Sequence, residues 1–211
     1  PLEADPLTQE LVAFLAAGLA FGNVRAIKRS VDRAAANLDN PAGLAEIFHR
    51  WVRGPDLVAV VGRLRELQSR FGSLEAHFLT TYEPGDMRGS MTRWTGDLRG
   101  TLEPTRGVVT LTTDASAGSA CKRLNLLMRW LVRQGPTDLG LWPSVRAADL
   151  IIPLDVHLIA YALTRGLTAR KGVNWKMAEE VTAHFRRLCP DDPLRWDFAI
   201  SHYGMMEGWD G

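Results

Sequence analysis

The sequence has little cysteine: Cys121 and Cys189 are its two. Two thiols argue against a disulfide framework and point to a reducing compartment, and they exclude an iron–sulfur cluster built on four cysteines of this chain. Net charge is small as well. Lys and Arg number 25 against 24 Asp and Glu, a formal charge of +1. Global basicity therefore gives no nucleic-acid signal. No apolar run approaches the length of a membrane span, and the N-terminus lacks a basic region followed by an apolar core. These absences predict a cytoplasmic protein that uses no membrane. Internal repeats are lacking too. His157, His184 and His202 stand at no metal-ligand spacing, so neither a metal nor a cofactor is expected.

What is present reads as helix. The chain has 211 residues, 46% hydrophobic and 23% charged, enough for one domain or two small lobes. Leu11, Phe14, Leu15 and Leu19 repeat at helical spacing, and the apolar run stops at Gly22. Asn23 opens a second helix with Val24, Ile27, Val31 and Ala34 on one side. Leu44, Ile47, Phe48 and Trp51 predict a short helix ended by Gly54-Pro55. Asp56 is the expected cap of the next, with Val58, Val61, Leu64 and Leu67 inward. Phe71-Gly72-Ser73 reads as a helix stop and a new start. Residues 103–118, with the β-branched run 108–113, read as a loop entering the next helix, because a lone strand in an α protein has no partner. Ala120 to Arg133 is a strong helix with Leu124, Leu127, Met128 and Leu131 on one stripe. A long connection, Gly135 to Pro153, follows, of the kind that is often functional. Asn174 to Leu188 is another helix. Asp191 or Asp192 is the expected cap of the last, with Pro193 in its first turn. The tail from Met205 has no period and reads as mobile or as a lid.

Charge is distributed unevenly. From Ala115 to Gly135 stand Lys122, Arg123, Arg129 and Arg133 with no acid. From Ala160 to Met177 stand Arg165, Arg170, Lys171 and Lys176, again with no acid. A solvated face explains most such runs, and an anion-binding face is the sharper reading.

Those two stretches flank Leu150-Ile151-Ile152-Pro153-Leu154-Asp155-Val156-His157. Pro153 brings the chain in extended. Asp155 sits where a helix N-cap belongs, able to accept the amides that follow. A carboxylate so held is favoured as the anion, which suits it to stabilising positive charge on a sugar. A partner lies upstream. Lys122 falls in the first turn of its helix, where the dipole opposes an ammonium. That field, together with burial, would supply the free amine that a nucleophilic lysine requires, whereas Lys122 taken alone reads more readily as an exposed lysine beside Arg123.

Pro153-Leu154-Asp155-Val156-His157 resembles the Pro-Val-Asp-Val-His segment of eukaryotic 8-oxoguanine DNA glycosylases, in which the aspartate is catalytic and caps a helix. In their superfamily, the helix-hairpin-helix DNA glycosylases, a lysine precedes it on the second hairpin helix. The longer gap from Lys122 to Asp155 is similar to that of archaeal 8-oxoguanine glycosylases. Cys121-Lys122-Arg123-Leu124-Asn125 and Asp192-Pro193…Asp197-Phe198-Ala199 resemble an uncharacterised bacterial family related to these enzymes, and the likeness runs over nearly the whole chain. It includes Leu19-Ala20-Phe21-Gly22-Asn23, similar to a helix–turn that often carries a glutamine near the lesion. Two departures stand out. Thr113 to Ser119 replaces the usual Leu-Pro-Gly-Val-Gly hairpin, and Asn23 stands in place of glutamine.

The resemblance implies an all-α, two-lobed helix-hairpin-helix glycosylase-like fold with a central cleft. Its expected lobes are 25–135 and 1–24 plus 136–211. It implies a monomer in the bacterial cytoplasm, nucleoid-associated, acting on double-stranded DNA that contains a damaged base. The expected activity is a bifunctional glycosylase/AP lyase on an oxidised purine, with Lys122 attacking C1′ and Asp155 assisting. A monofunctional glycosylase and a non-catalytic nucleic-acid-binding module are the alternatives. Arg123, Arg129, Arg170 and Lys171 are candidates for phosphate contacts. Asn23, Trp142, His157, Trp196 and Phe198 are candidates for the base pocket. His157 is placed to touch a phosphate or to satisfy a core hydrogen bond.

Overall fold

The structure, a computed structural model, describes residues 4–208. The chain is mostly helical and of the all-α class, with two minimal hairpins. No helix among the described residues is long and apolar enough to cross a membrane. The chain divides into two compact units.

The first unit holds residues up to Tyr82 and Ser90–Asp114. Its elements are α1 (Pro6–Gly18), α2 (Val24–Ala35), α3 (Pro41–Ala45), the hairpin β1 (Phe48–His49) and β2 (Val52–Arg53), α4 (Gly54–Phe71), α5 (Leu74–Leu79), most of α6 (Met87–Arg99), and α7 (Arg106–Leu111). Asp5, Asn23, Asn40, Ser73 and Thr105 each cap the helix that follows, through a side-chain oxygen on a backbone N–H. The α1 and α4 stripes meet in a core of Leu11, Phe14, Leu15, Leu57, Val60, Leu64 and Leu67, all buried. Glu10, buried on α1, accepts the amides of Leu74 and Glu75 at 2.9 and 3.0 Å and so ties α1 to the start of α5. Trp94 donates its indole N–H to Nδ1 of the buried His77 at 3.0 Å, and His77 Nε2 lies 2.6 Å from Asp97. Since indole can only donate, His77 is held as the Nε2–H tautomer. Burial pushes its pKa below the usual range.

The second unit holds residues 83–89 and those from Ala115 on. It contains a 3-10 turn at Ala115–Ala117, α8 (Lys122–Val132), the hairpin β3 (Gln134–Gly135) and β4 (Asp138–Leu139), a 3-10 turn at Ala147–Asp149, α9 (Val156–Thr164), α10 (Trp175–Leu188) and α11 (Asp197–Glu207). The expected stripe Leu124, Leu127, Met128 and Leu131 is buried on α8, as are Trp175, Ala178, Val181 and Phe185 on α10. Both helices are therefore amphipathic in the register the sequence predicts.

Several expectations are corrected. The short helix across residues 44–51 is a helix to Ala45 followed by the β1–β2 hairpin, whose turn places Arg50 in the left-handed region at φ 55°. Asp56 is not the cap of α4. It lies in the first turn, and its carboxylate accepts the Arg53 amide at 2.7 Å. The stretch read as a loop contains α7, because the Thr105 cap and the buried Gly107, Val108 and Leu111 outweigh the β propensity of the run. Asp192 does not cap α11, which starts at Asp197; its carboxylate instead binds Arg133 and the Leu194 amide. The tail from Met205 is helical to Glu207, and the rest of that stretch beyond Gly208 lies outside the described residues. The lobe boundaries also differ from those expected. α1 packs on α2, α4 and α7 and so groups with the middle helices, while residues 83–89 and 115–135 group with the later ones.

Candidate active site

α10 is the frame on which the two candidate catalytic residues are mounted. At its first turn the backbone N–H of Trp175 donates to Gly118 O at 3.1 Å, and Ser119 pairs with Asn174 in an isolated bridge. This pins the lead-in to α8. Two turns on, Thr182 Oγ1 accepts the Ile152 amide at 3.0 Å. Arg186 donates to Ala148 O at 3.1 Å and to Leu150 O at 3.4 Å. These bonds pin the lead-in to α9.

α8 starts abruptly. Cys121 adopts φ 46°, ψ 37°, a left-handed conformation uncommon outside glycine, asparagine and aspartate. Its amide and thiol both lie near Ser119 Oγ, at 3.3 and 3.2 Å. Asn125 closes the turn by donating to Ala120 O at 3.0 Å. Lys122 is the first residue of α8. Its side chain is exposed and makes no ion pair or hydrogen bond among the described residues. Of the two readings of this residue, the exposed one holds and the buried one does not.

Asp155 is the N-cap of α9 as the sequence predicts. Its Oδ1 accepts the amides of His157 and Leu158 at 3.0 and 2.8 Å, and the residue is half-buried. Oδ2 accepts no hydrogen bond among the described residues. His157 is half-buried with its ring likewise unbonded there, so a satisfied core histidine does not describe it.

The other candidates are scattered. Arg129 is buried and committed to Asp138 and Asp197, each at 3.1 Å, and to Thr137 at 3.0 Å; it cannot serve as a phosphate contact. Arg170 is paired with Glu180 at 2.7 Å. Arg123 is half-buried, and burial pushes its guanidinium below its usual pKa. Lys171 remains exposed in the bend after α9. Trp142 is fully buried and has no face to offer a flipped base. Trp196 packs against Phe185, their ring centres 6.3 Å apart. Phe198 is exposed, with Arg129 over its ring at 5.8 Å. Asn23 caps α2 in the first unit.

Sequence reading missed a cavity of about 510 Å³ in the second unit, lined among others by Arg88, Arg146, Asp149, Ile151, Trp175 and Arg186. Arg88 lies over the Trp175 ring at 5.5 Å and donates to Ala115 O and Ser116 O. The cavity wall is thus bonded to the lead-in of α8, and Ile151 belongs to the lead-in of α9. The length of the 135–153 connection was the available signal for Arg146 and Asp149; nothing in the local pattern marks Arg88.

The family model described as a protein of unknown function (DUF2400) matches residues 3–206. The chain belongs to the DUF2400 family. No curated protein and no solved structure matches it.

Proposed function

We propose that this protein is a DNA glycosylase with AP lyase activity, of helix-hairpin-helix type, acting on an oxidised purine such as 8-oxoguanine. One observation carries the reading: α10 anchors the lead-ins of both the exposed, unpartnered Lys122 and the capping Asp155, whose second carboxylate oxygen is left unbonded. An amine at a helix N-terminus and an amide-held carboxylate are the two groups that base excision through a covalent sugar needs.

In this mechanism the damaged nucleotide leaves the stack before its C1′ is reached. The Lys122 amine forms a bond to C1′ as the C1′–N bond to the base breaks, and the departing base takes up a proton. Asp155, its Oδ1 fixed by the α9 amides, stabilises the positive charge that develops on the sugar. Loss of the amine proton and ring opening give a Schiff base between Nζ and C1′. Removal of a C2′ proton then expels the 3′ phosphate by β-elimination. Hydrolysis returns the amine.

The exposure of Lys122 gives a monofunctional reading a specific basis too. A solvated ammonium acts on the leaving base electrostatically while water, not the amine, attacks C1′. Incubation with a duplex containing 8-oxoguanine and, separately, with an abasic duplex tests both readings. Base release with strand scission supports the lyase; base release without scission supports the monofunctional enzyme. Neither product across a panel of lesions contradicts the proposal.

A further inference from the structure

The first unit carries a second feature that the glycosylase chemistry does not use. The turn Phe21-Gly22-Asn23, the start of α2 and the β1–β2 hairpin enclose a cavity of about 340 Å³. Arg29, Arg33 and Arg50 line it, and no carboxylate does. Arg29 and Arg50 make no ion pair among the described residues. Arg33 gives one bond, at 3.4 Å, to Glu46 O. The cavity also includes Ala26 in the first turn of α2, whose N-terminus adds a positive dipole end.

The frame around these cations is tied together by side-chain contacts. His49 is buried and both its ring nitrogens are engaged, Nδ1 with Ser30 Oγ at 3.0 Å and Nε2 with Phe21 O at 2.9 Å. Phe21 stacks on Trp51 with ring centres 4.8 Å apart. Arg50 is an exposed arginine at φ 55°, a conformation that a glycine would adopt more readily. Its side chain lies against Gly22, where an added Cβ would meet Arg50 Cδ at 3.3 Å. A turn needing only a reversal of direction would favour glycine there. The arginine at that position sets an exposed guanidinium in the cavity lining.

We propose that this pocket is a phosphodiester-binding site that grips the backbone of duplex DNA through Arg29, Arg33 and Arg50. Guanidinium forks match phosphate oxygens in pairs, and three of them without an acid leave a surplus of positive charge that a polyanion neutralises. The choice of DNA over free phosphate rests on the glycosylase reading above. The interaction is sequence-independent and positions the duplex without reading it. All four phosphate-binding candidates expected from sequence fall in the second unit, so this site is additional to them.

The test is fluorescence anisotropy with an undamaged duplex across a salt series, on wild type, Arg29→Gln, Arg50→Gly and Arg65→Gln. Arg65 pairs with Asp39 outside the pocket and serves as the control. The slope of log K against log salt is expected to fall by roughly 0.9 in magnitude for each phosphate no longer neutralised, in Arg29→Gln and in Arg50→Gly but not in the control. Arg50→Gly is further expected to keep or raise its melting temperature, since glycine relieves the left-handed backbone. Weaker binding by a more stable variant is an outcome a merely structural role cannot give. Unchanged slopes in both pocket variants, or no binding by wild type, would overturn the proposal. So would protection of wild type by inorganic phosphate, abolished in Arg50→Gly, with duplex binding unaltered. Absence of lesion processing by wild type, with the slope changes present in the pocket variants, would instead count against the lysine chemistry alone.

Discussion

The Ile152 amide donates to Thr182 Oγ1 at 3.0 Å, while the Thr182 hydroxyl donates to Ala178 O at 2.6 Å. The hydroxyl thus joins α10 to the extended segment that delivers Asp155. Val replaces Thr with the same shape and removes the acceptor. In Thr182→Val the buried Ile152 amide is left unsatisfied, which costs about 1–3 kcal/mol. Chemical denaturation is expected to show that loss. Base release should fall with it, since Asp155 stands three residues from the broken bond. Normal base release at full folding would show that the Thr182 anchor does not set the position of Asp155.

Asp155 serves the fold and, in the proposed mechanism, the chemistry, and two substitutions separate the roles. Asp155→Ala removes the cap and is expected to destabilise by about 0.5–2 kcal/mol. Asp155→Asn keeps an oxygen for the His157 and Leu158 amides and should melt close to wild type. Both are expected to lose base release, because neither carries a negative charge. An active Asp155→Asn would remove the carboxylate from the mechanism.

Arg129 is central to a buried charge cluster. It lies 3.1 Å from both Asp138 and Asp197, and Arg133 reaches Asp138 at 2.6 Å and Asp192 at 2.9 Å. The Arg129–Asp138 and Arg129–Asp197 approaches are charge contacts without hydrogen-bond alignment. Arg129→Met leaves two buried carboxylates short of a partner, and a loss of about 3–5 kcal/mol is expected in equilibrium unfolding. A folded, stable variant with a weakened DNA salt dependence would restore Arg129 to the phosphate-binding set.

The same cluster gives a pH signature. Burial raises the Asp197 carboxyl to about 6, against the pull of Arg129. Unfolding returns it to its ordinary value of 3.8, so between about 4 and 6 the native state holds the extra proton. This group's contribution to stability therefore falls as pH rises through that window and is flat above it. Asp197→Asn should remove the trend, so the wild-type minus variant difference in melting temperature declines from pH 4 to pH 7. A difference that is constant or that grows with pH would contradict the assignment.

Helical stripes and caps were the legible part of the sequence. Leu124, Leu127, Met128 and Leu131 form a single buried ridge, and Asn23, Ser73, Asn174 and Asp155 cap where the pattern places them. Those features depend on neighbours within one or two turns. What escaped depends on distant partners. Nothing near Arg129 announces Asp197, and nothing near Trp142 shows that its ring is enclosed. The hairpin at 48–53 was hidden because Ile47, Phe48 and Trp51 fit a helical stripe as well as a turn. Asp192 reads as a cap until Arg133, far upstream, claims its carboxylate. Lys122 was legible both as a helix-start lysine and, taken alone, as an exposed one beside Arg123.

The central claim is that Lys122 bonds to the sugar. Borohydride reduction during incubation with an 8-oxoguanine duplex, on wild type and Lys122→Gln, tests it most directly. Lys122 is exposed, so the variant should fold within about 0.5 kcal/mol of wild type, and a lost signal cannot be blamed on unfolding. The account predicts a covalent protein–DNA adduct in wild type, mapped by peptide mass to Lys122 and absent from Lys122→Gln. An adduct that persists in Lys122→Gln, or none in wild type on the lesion and on an abasic duplex alike, would contradict it.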